Sequence, residues 1–264
     1  MPHTIYDNFF LSNEVEDQFN SHLDLVQFCN IDNTLDGVAG MTRKINVYKA
    51  TDATEKLGMG EGNTKSIEVS YTPEEYVILL AQNTFKYYDE QAMTDPMLVP
   101  TGVKHMGTDM FNAVNADIFA EFNKATLSVS DTAYSFGVFA DAVAKLNLEN
   151  LEGVSIFGFV CAEDMAKIRK ALKDDLKYVE AFARTGYVGT VAGINLYTKK
   201  DAVAGTCIIG TKDAVTLFNK KGIEIEQPPR SSEDADVRLN TIISRKYYLA
   251  ALTDATKAVK ITIG

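Results

Sequence analysis

The chain has 264 residues, 46% of them hydrophobic and 23% charged, the balance of an ordinary soluble globular protein with enough length to bury a sizeable core. Its 36 acidic residues outnumber 26 Lys and Arg for a net charge of −10, which argues against a protein that grips a nucleic-acid backbone through clustered cations. Cys29, Cys161 and Cys207 are odd in number and scattered, so neither a disulfide framework nor a zinc knuckle is expected. No apolar run approaches the roughly 18 residues of a membrane span, and nothing at the N-terminus reads as a signal peptide, so a cytosolic product is expected.

Residues 1–40 mix polar and aromatic side chains without sustained period, apart from a short helix predicted around 14–28, and read as an arm tied down by something else. Two alternating segments, 44–48 and 66–71, flank a polar stretch carrying Gly58, Gly60 and Gly62. This is the pattern of a long β-hairpin, which cannot bury its own apolar face and needs a surface to lie on. After Pro73 a more apolar run, 76–80 continuing through Phe85 and Tyr87, predicts a buried strand ending at Asp89 and Glu90. Met110, Phe111, Val114, Ile118 and Phe122 then recur at spacings of three and four. They predict a helix of about twenty residues whose start or kink is set by Pro100 and Gly102.

In the second half a helix is predicted over 135–146, with Phe136, Phe139, Val143 and Leu146 on its apolar face. A continuous apolar strand follows at 154–160, then a helix at 162–176 with Met165, Ile168, Leu172 and Leu176 inward. Strands are predicted at 194–197, 206–209, 214–218, 223–226 and 258–263, and the apolar segment 240–252 closes the chain before the last of them. Intermixed strands and helices with prominent hairpins define an α+β class.

Gly186, Gly189 and Gly193 invite a phosphate-loop reading, but their spacing is G-x-x-G-x-x-x-G and they lead from a helical pattern into a strand. A dinucleotide loop needs G-x-G-x-x-G between a strand and a helix, so the three glycines read as a hinge that bends toward, or lies close to, a neighbour. His3 and His22 lie in the arm, and His105 stands beside Lys104 with no second His or Cys at ligand spacing, so no metal and no cofactor are expected. Cys161, ending a buried strand just before a helix, is the candidate nucleophile of a cysteine-dependent α/β enzyme; Glu163 and Asp164 oppose thiolate formation, and a small buried apolar residue is the plainer reading. Asp117 and Glu121 share a helix face and read as solvated, as do Lys167, Arg169, Lys170 and Lys173. No catalytic constellation assembles, which points to a chain built to touch copies of itself.

From about Gly40 to Gly264 the order of these parts resembles the major capsid proteins of tailed bacteriophages with the Hong Kong 97 type of fold. The hairpin 43–71 is similar to that family's extended E-loop, NTFKYYDEQAMTDP at 83–96 to its strand with an acidic turn, and the helix 108–124 to its spine helix. VSIFGFVCAEDMAKIRKAL with GYVGTVAGINLYTKK resembles the strand, helix and strand of the axial domain, and RKYYLAALTDATKAVKITIG the return to the peripheral domain. The resemblance implies an N-terminal arm at 1–42, an E-loop at 43–72, a peripheral domain at 73–130 and 227–264, and an axial domain at 131–226. It implies a non-enzymatic subunit that forms hexamers and pentamers of an icosahedral head, located in the virion and assembled in the host cytoplasm. Implied partners are copies of itself, a separate scaffolding protein, a portal protein and packaged double-stranded DNA met without sequence-specific contact; no membrane is involved. Inter-subunit contact is expected at Lys49, Lys56, Gly58, Gly60, Gly62, Lys65, Gly186, Gly189 and Gly193. Some relatives join a hairpin lysine to a neighbour's asparagine; Lys49, Lys56 and Lys65 lie in that region, but no acceptor is identifiable and no crosslink is expected. An encapsulin-like shell or another phage structural protein shares much of this pattern and stays open as an alternative.

Overall fold

The computed structural model describes residues 23–51, 54–148, 154–173 and 189–264. A 3-10 turn, Leu25–Phe28, leads into β1 (Asn30–Asp32), followed by β2 (Thr42–Ala50), β3 (Val69–Val77) and β4 (Leu79–Tyr88). Two helices, α1 (Asp89–Thr94) and α2 (Leu98–Asn123), precede β5 (Leu127–Asp131), α3 (Phe136–Lys145), β6 (Ile156–Val160) and α4 (Ala162–Ala171). The chain finishes with β7 (Thr190–Val191), β8 (Ile194–Thr198), β9 (Thr206–Thr211), β10 (Val215–Glu226), α5 (Ser232–Asp236), β11 (Leu239–Leu252) and β12 (Ala258–Ile263). The strands form a four-stranded sheet in the order β1-β10-β11-β4, a six-stranded sheet in the order β5-β12-β9-β6-β8-β7, and the separate ribbon β2-β3. This is the α+β architecture that the sequence predicts.

Every residue of β6 is buried because both faces of its sheet are covered, which is why it reads as an unbroken apolar run. Ile156 and Val160 face a core shared with Val138 and Phe139 of α3 and with Met165 and Ile168 of α4. Phe157 and Phe159 face the other way, into a core that also holds Val114, Ile118, Phe119 and Phe122 of α2 and Leu217, Tyr248 and Ala250 of the four-stranded sheet. Helix α2 therefore sits where the two sheets meet. Asn115, buried on α2, accepts a hydrogen bond from Leu25 N–H at 3.0 Å and donates to the Leu23 carbonyl at 3.2 Å, so a polar core side chain holds the entering segment with both ends satisfied.

Several boundaries differ from expectation, each for a local reason. The arm expected over 1–42 is part of the body from Leu23 onward: Leu25 and Cys29 are fully buried and β1 pairs in parallel with β10. Of the helix expected at 14–28 the described part is only the 3-10 turn, capped by Asp24; the remainder lies outside the described residues. The ribbon strand continues through Pro73 to Val77, where Asn46 faces Pro73; a two-stranded ribbon has only edges, so a residue without an N–H is tolerated there. The spine helix is longer than expected, 26 residues, because Pro100 lies in its first turn, where N–H groups lack helical partners in any case. Phe136, expected inward, is exposed at the first position of α3 after its Ser135 cap. The predicted strands 214–218 and 223–226 are one strand, β10, whose pairing with β11 shifts register between Asn219 and Glu224. Sheet membership also departs from the expected domain boundaries: β10 lies in the four-stranded sheet, while β5 and β12 lie in the six-stranded one.

Gly102 brings α2 close against the four-stranded sheet: a methyl built there would stand 2.6 Å from the Phe85 ring of β4. Gly102→Ala should destabilise the fold by about 1–3 kcal/mol through overpacking, read as a lower melting temperature, and adding Phe85→Leu should recover part of the loss.

Candidate functional site

The candidate catalytic residue is placed first. Cys161 caps α4, with its sulfur accepting from Asp164 N–H at 3.4 Å, and it is buried. The described histidine, His105, sits half-buried on α2. His3 and His22 lie outside the described residues. Cys29 and Cys207 are fully buried; burial pushes the Cys29 thiol up to about 11 and the Cys207 thiol higher still. Among the described residues no group of His, Cys, Asp and Glu is arranged to hold a metal ion, and no helix is long and apolar enough to cross a membrane.

Beside Cys161, the fully buried Asp164 has a structural task. It accepts from Gly205 N–H at 2.6 Å and pairs with Lys167 at 2.9 Å, tying α4 to the turn before β9. Gly205 has a φ of +79°, and a side chain there would meet the Ile263 carbonyl at 3.0 Å. Burial by itself would raise the Asp164 carboxyl, but the bonds from Lys167 and from Gly205 N–H counter it, and the group is held below the ordinary carboxylate range.

The glycine loop resolves into something more specific than a hinge. Gly186 lies outside the described residues, and the Gly189 carbonyl accepts from Leu196 N–H at 3.1 Å. Gly193 (φ +82°) and Ala192 (φ +49°) are the two residues joining β7 to β8, which pair Val191 with Ile194. Two consecutive positive φ values are those of a type I′ hairpin turn, so Gly193 is required by local twist.

Among the described residues the ribbon β2-β3 pairs only with itself. Its base is anchored: Ile78 N–H donates to the Met41 carbonyl at 2.8 Å, and Tyr76 stacks on Phe218 with ring centres 5.0 Å apart. Arg43 reaches Asp32 of β1 at 3.4 Å. Burial, then the hydrogen bond to Glu74, pushes the Tyr76 phenol up to about 12. Lys49 pairs with Ser70 in the ribbon ladder.

At the far end Glu55 braces the tip by accepting from Thr64 through both N–H (2.7 Å) and hydroxyl (2.6 Å). Residues 58–61 form a turn closed by Glu61 N–H to the Gly58 carbonyl, with Gly60 at φ +87° as a type II turn requires. Gly62 has open space where a side chain would project, and Lys56 and Lys65 are exposed. Leu57, Met59, Ile67 and Val69 are all exposed, so the ribbon carries apolar surface that the described residues leave uncovered.

Sequence reasoning missed two sets of residues. Asp89 and Glu90, read as a strand terminator, pair with Arg230 and Arg238, and Asn240 donates to Asp89 at 2.7 Å, so α1 is locked to the start of β11. The hydrogen bonds from Arg230 and Asn240 hold the Asp89 carboxyl down. Asp117 and Glu121, read as solvated, instead reach β11: Asp117 accepts from the Tyr248 hydroxyl at 2.7 Å and Glu121 from Leu252 N–H at 3.2 Å. Pairs separated by more than a hundred residues leave no local signal.

A spine helix at the junction of two sheets, with a long ribbon leaving the body at its base, is the architecture of Hong Kong 97-type capsid proteins, and this chain has that fold. No protein-family model matches the chain. It is similar to the major capsid protein of Staphylococcus phage phiMR11, at 26% identity over 94% of this chain and 89% of the relative. The capsid of cyanophage P-SCSP1u superimposes with a TM-score of 0.70 over 90% of this chain and 86% of its own, at 12% identity. Gordonia phage Cozz gives 0.69 over all of this chain and 91% of its own, at 10% identity.

The Asp164 carboxyl is held down on folding, so its contribution is complete above the ordinary carboxylate pKa near 4 and is lost as pH falls through the lower folded value. Asp164→Asn should cost about 1–2 kcal/mol at pH 7, and the gap to the wild type in chemical denaturation should narrow steadily below pH 4. Ala192→Asn should raise stability by about 1 kcal/mol, since Asn tolerates positive φ better than Ala; a lower melting temperature would contradict the turn assignment.

Proposed function

We propose that the protein is a major capsid protein: a structural, non-enzymatic subunit that self-assembles into the shell of a phage head and resides in the virion. The observation that carries this is the combination of a Hong Kong 97-type fold with a ribbon whose Leu57, Met59, Ile67 and Val69 are exposed among the described residues. The named relative, aligned over nearly its full length, supports the same reading. A decoration or tail protein would not be expected to carry the 26-residue spine helix.

On this reading the four-stranded sheet with α2 is the peripheral domain and the six-stranded sheet with α3 and α4 the axial domain, meeting its counterparts around capsomer axes. The ribbon, with Lys49, Lys56, Gly58, Gly60, Gly62 and Lys65, lies across an adjacent subunit, and the loop at 186–193 contributes at the capsomer axis. A separate scaffolding protein, a portal and packaged double-stranded DNA complete the set of partners, with assembly in the host cytoplasm. Each contact can be weak, because many repeated contacts per subunit act at high effective concentration. The net charge of −10 suits a shell that DNA fills without adhering.

Replacing residues 51–68 with Asn-Gly keeps Ala50 opposite Val69 and closes the ribbon with a two-residue turn. This variant should melt within a few degrees of the wild type, yet yield no shells by electron microscopy under conditions where the wild type assembles. Normal particles from it would remove the ribbon from assembly.

A further inference from the structure

Strand β10 carries two more residues than β11 between Asn219, opposite Tyr248, and Glu224, opposite Arg245. Lys221 pairs with Tyr247 inside this interval, whereas Lys220, Gly222 and Ile223 have no register partner in β11. Lys246 has a partner in β4, Ala81, and none in β10. Extra residues of this kind bend a strand and re-aim its side chains. At the bend lies a cavity of about 260 Å³, lined by Lys220, Lys221, Gly222 and Lys246 and, from the loop after β1, by Asn33 and Asp36.

Three lysines converge here in a chain of net charge −10. Their ammonium groups are not equally committed. Lys220 donates to the Leu35 and Val38 carbonyls, fastening the loop to the strand, and Lys221 pairs with Glu224 on the surface. Lys246 makes no hydrogen bond or ion pair among the described residues; it is half-buried, with its nitrogen 5.2 Å from the Tyr248 ring centre. Burial holds its amine below the ordinary lysine value, with Asp24 opposing. Even with Asp36 and Glu224 counted, cations outnumber carboxylates three to two. A half-buried cation without a counter-ion gains most from an arriving anion, because its surroundings screen the attraction less than water does.

The cavity is smaller than the roughly 300–1,000 Å³ of pockets for drug-sized ligands. It suits a small anion, or one group of a longer chain presented at its mouth, and not a whole nucleotide. Lysine ammonium groups are compact donors that rotate onto any oxygen of a tetrahedral oxyanion, which makes them general phosphate binders. We propose that the bulge is a phosphate seat, in which Lys246 and Lys221 bind one tetrahedral oxyanion beside Gly222 while Lys220 holds the loop wall in place. The anion is free phosphate or a phosphodiester group, and the seat is independent of the shell reading.

The test titrates the full wild-type chain with inorganic phosphate in chloride buffer of constant ionic strength, followed by phosphorus NMR. Binding should saturate at one phosphate per chain. Lys246→Met replaces a half-buried cation by an apolar side chain of similar length, so it should melt no lower than the wild type in chloride. It should bind phosphate at least tenfold more weakly, whereas Lys246→Arg should stay within threefold of the wild type. Lys221→Met, at an exposed position, should weaken binding severalfold and carries the test if Lys246→Met misfolds. No saturation with the wild type, or wild-type affinity in both methionine variants, would overturn the seat. A short DNA duplex added to the loaded chain separates the two sources: release of phosphate assigns the seat to a phosphodiester, retention assigns it to the free ion, and each supports the seat.

Discussion

Phe119 and Phe122 on one face of α2 meet Phe157 and Phe159 of β6 largely edge to face, with ring centres 5.6–6.2 Å apart, and Phe28 closes the cluster at 4.9 Å from Phe157. Such pairs add about 0.5–1.5 kcal/mol each beyond the area they bury, and here they join three elements distant in sequence. The spine helix bonds to the four-stranded sheet through Asp117 and Glu121 and to the entering segment through Asn115. The junction lies in the core that the two sheets share, beside Ile208 and Ala258 of one and Val215 and Leu217 of the other.

The same junction explains why a long ribbon is tolerated. A two-stranded ribbon is marginal alone in water; this one is held at its base by Tyr76 against Phe218, by Ile78 and by Arg43. The body buries an extensive core, while the ribbon leaves Leu57, Met59, Ile67 and Val69 exposed. A residue at the ribbon tip such as Met59 can change without touching the core, and a residue in the aromatic junction cannot.

Elements whose signals are local were legible. The apolar run of β6, the three-and-four spacing of α2 and the alternation of β2 each depend on near neighbours. The order of parts was enough to read the fold class and the resemblance. What misled was a local signal with a distant remedy. The break between 218 and 223 looked like a loop, but β11 carries the register shift across it. Pro73 looked like a strand end, but a ribbon edge asks nothing of its missing N–H. Asp117 and Glu121 looked solvated because their partners, Tyr248 and Leu252, lie 131 residues away.

The sequence alone determined most of the longer strands and helices, that the chain is acidic, and that a glycine-tipped hairpin needs a surface to lie on. Periodicity and turn chemistry are short-range and need only neighbouring residues. Tertiary structure decided the partition into sheets, with β1 joining β10, β11 joining β4 and β12 joining β9 against chain order, and the reach of Asp117 and Glu121 to β11. Those features arise where surfaces from remote segments meet, and no window along the chain contains both sides of such a meeting.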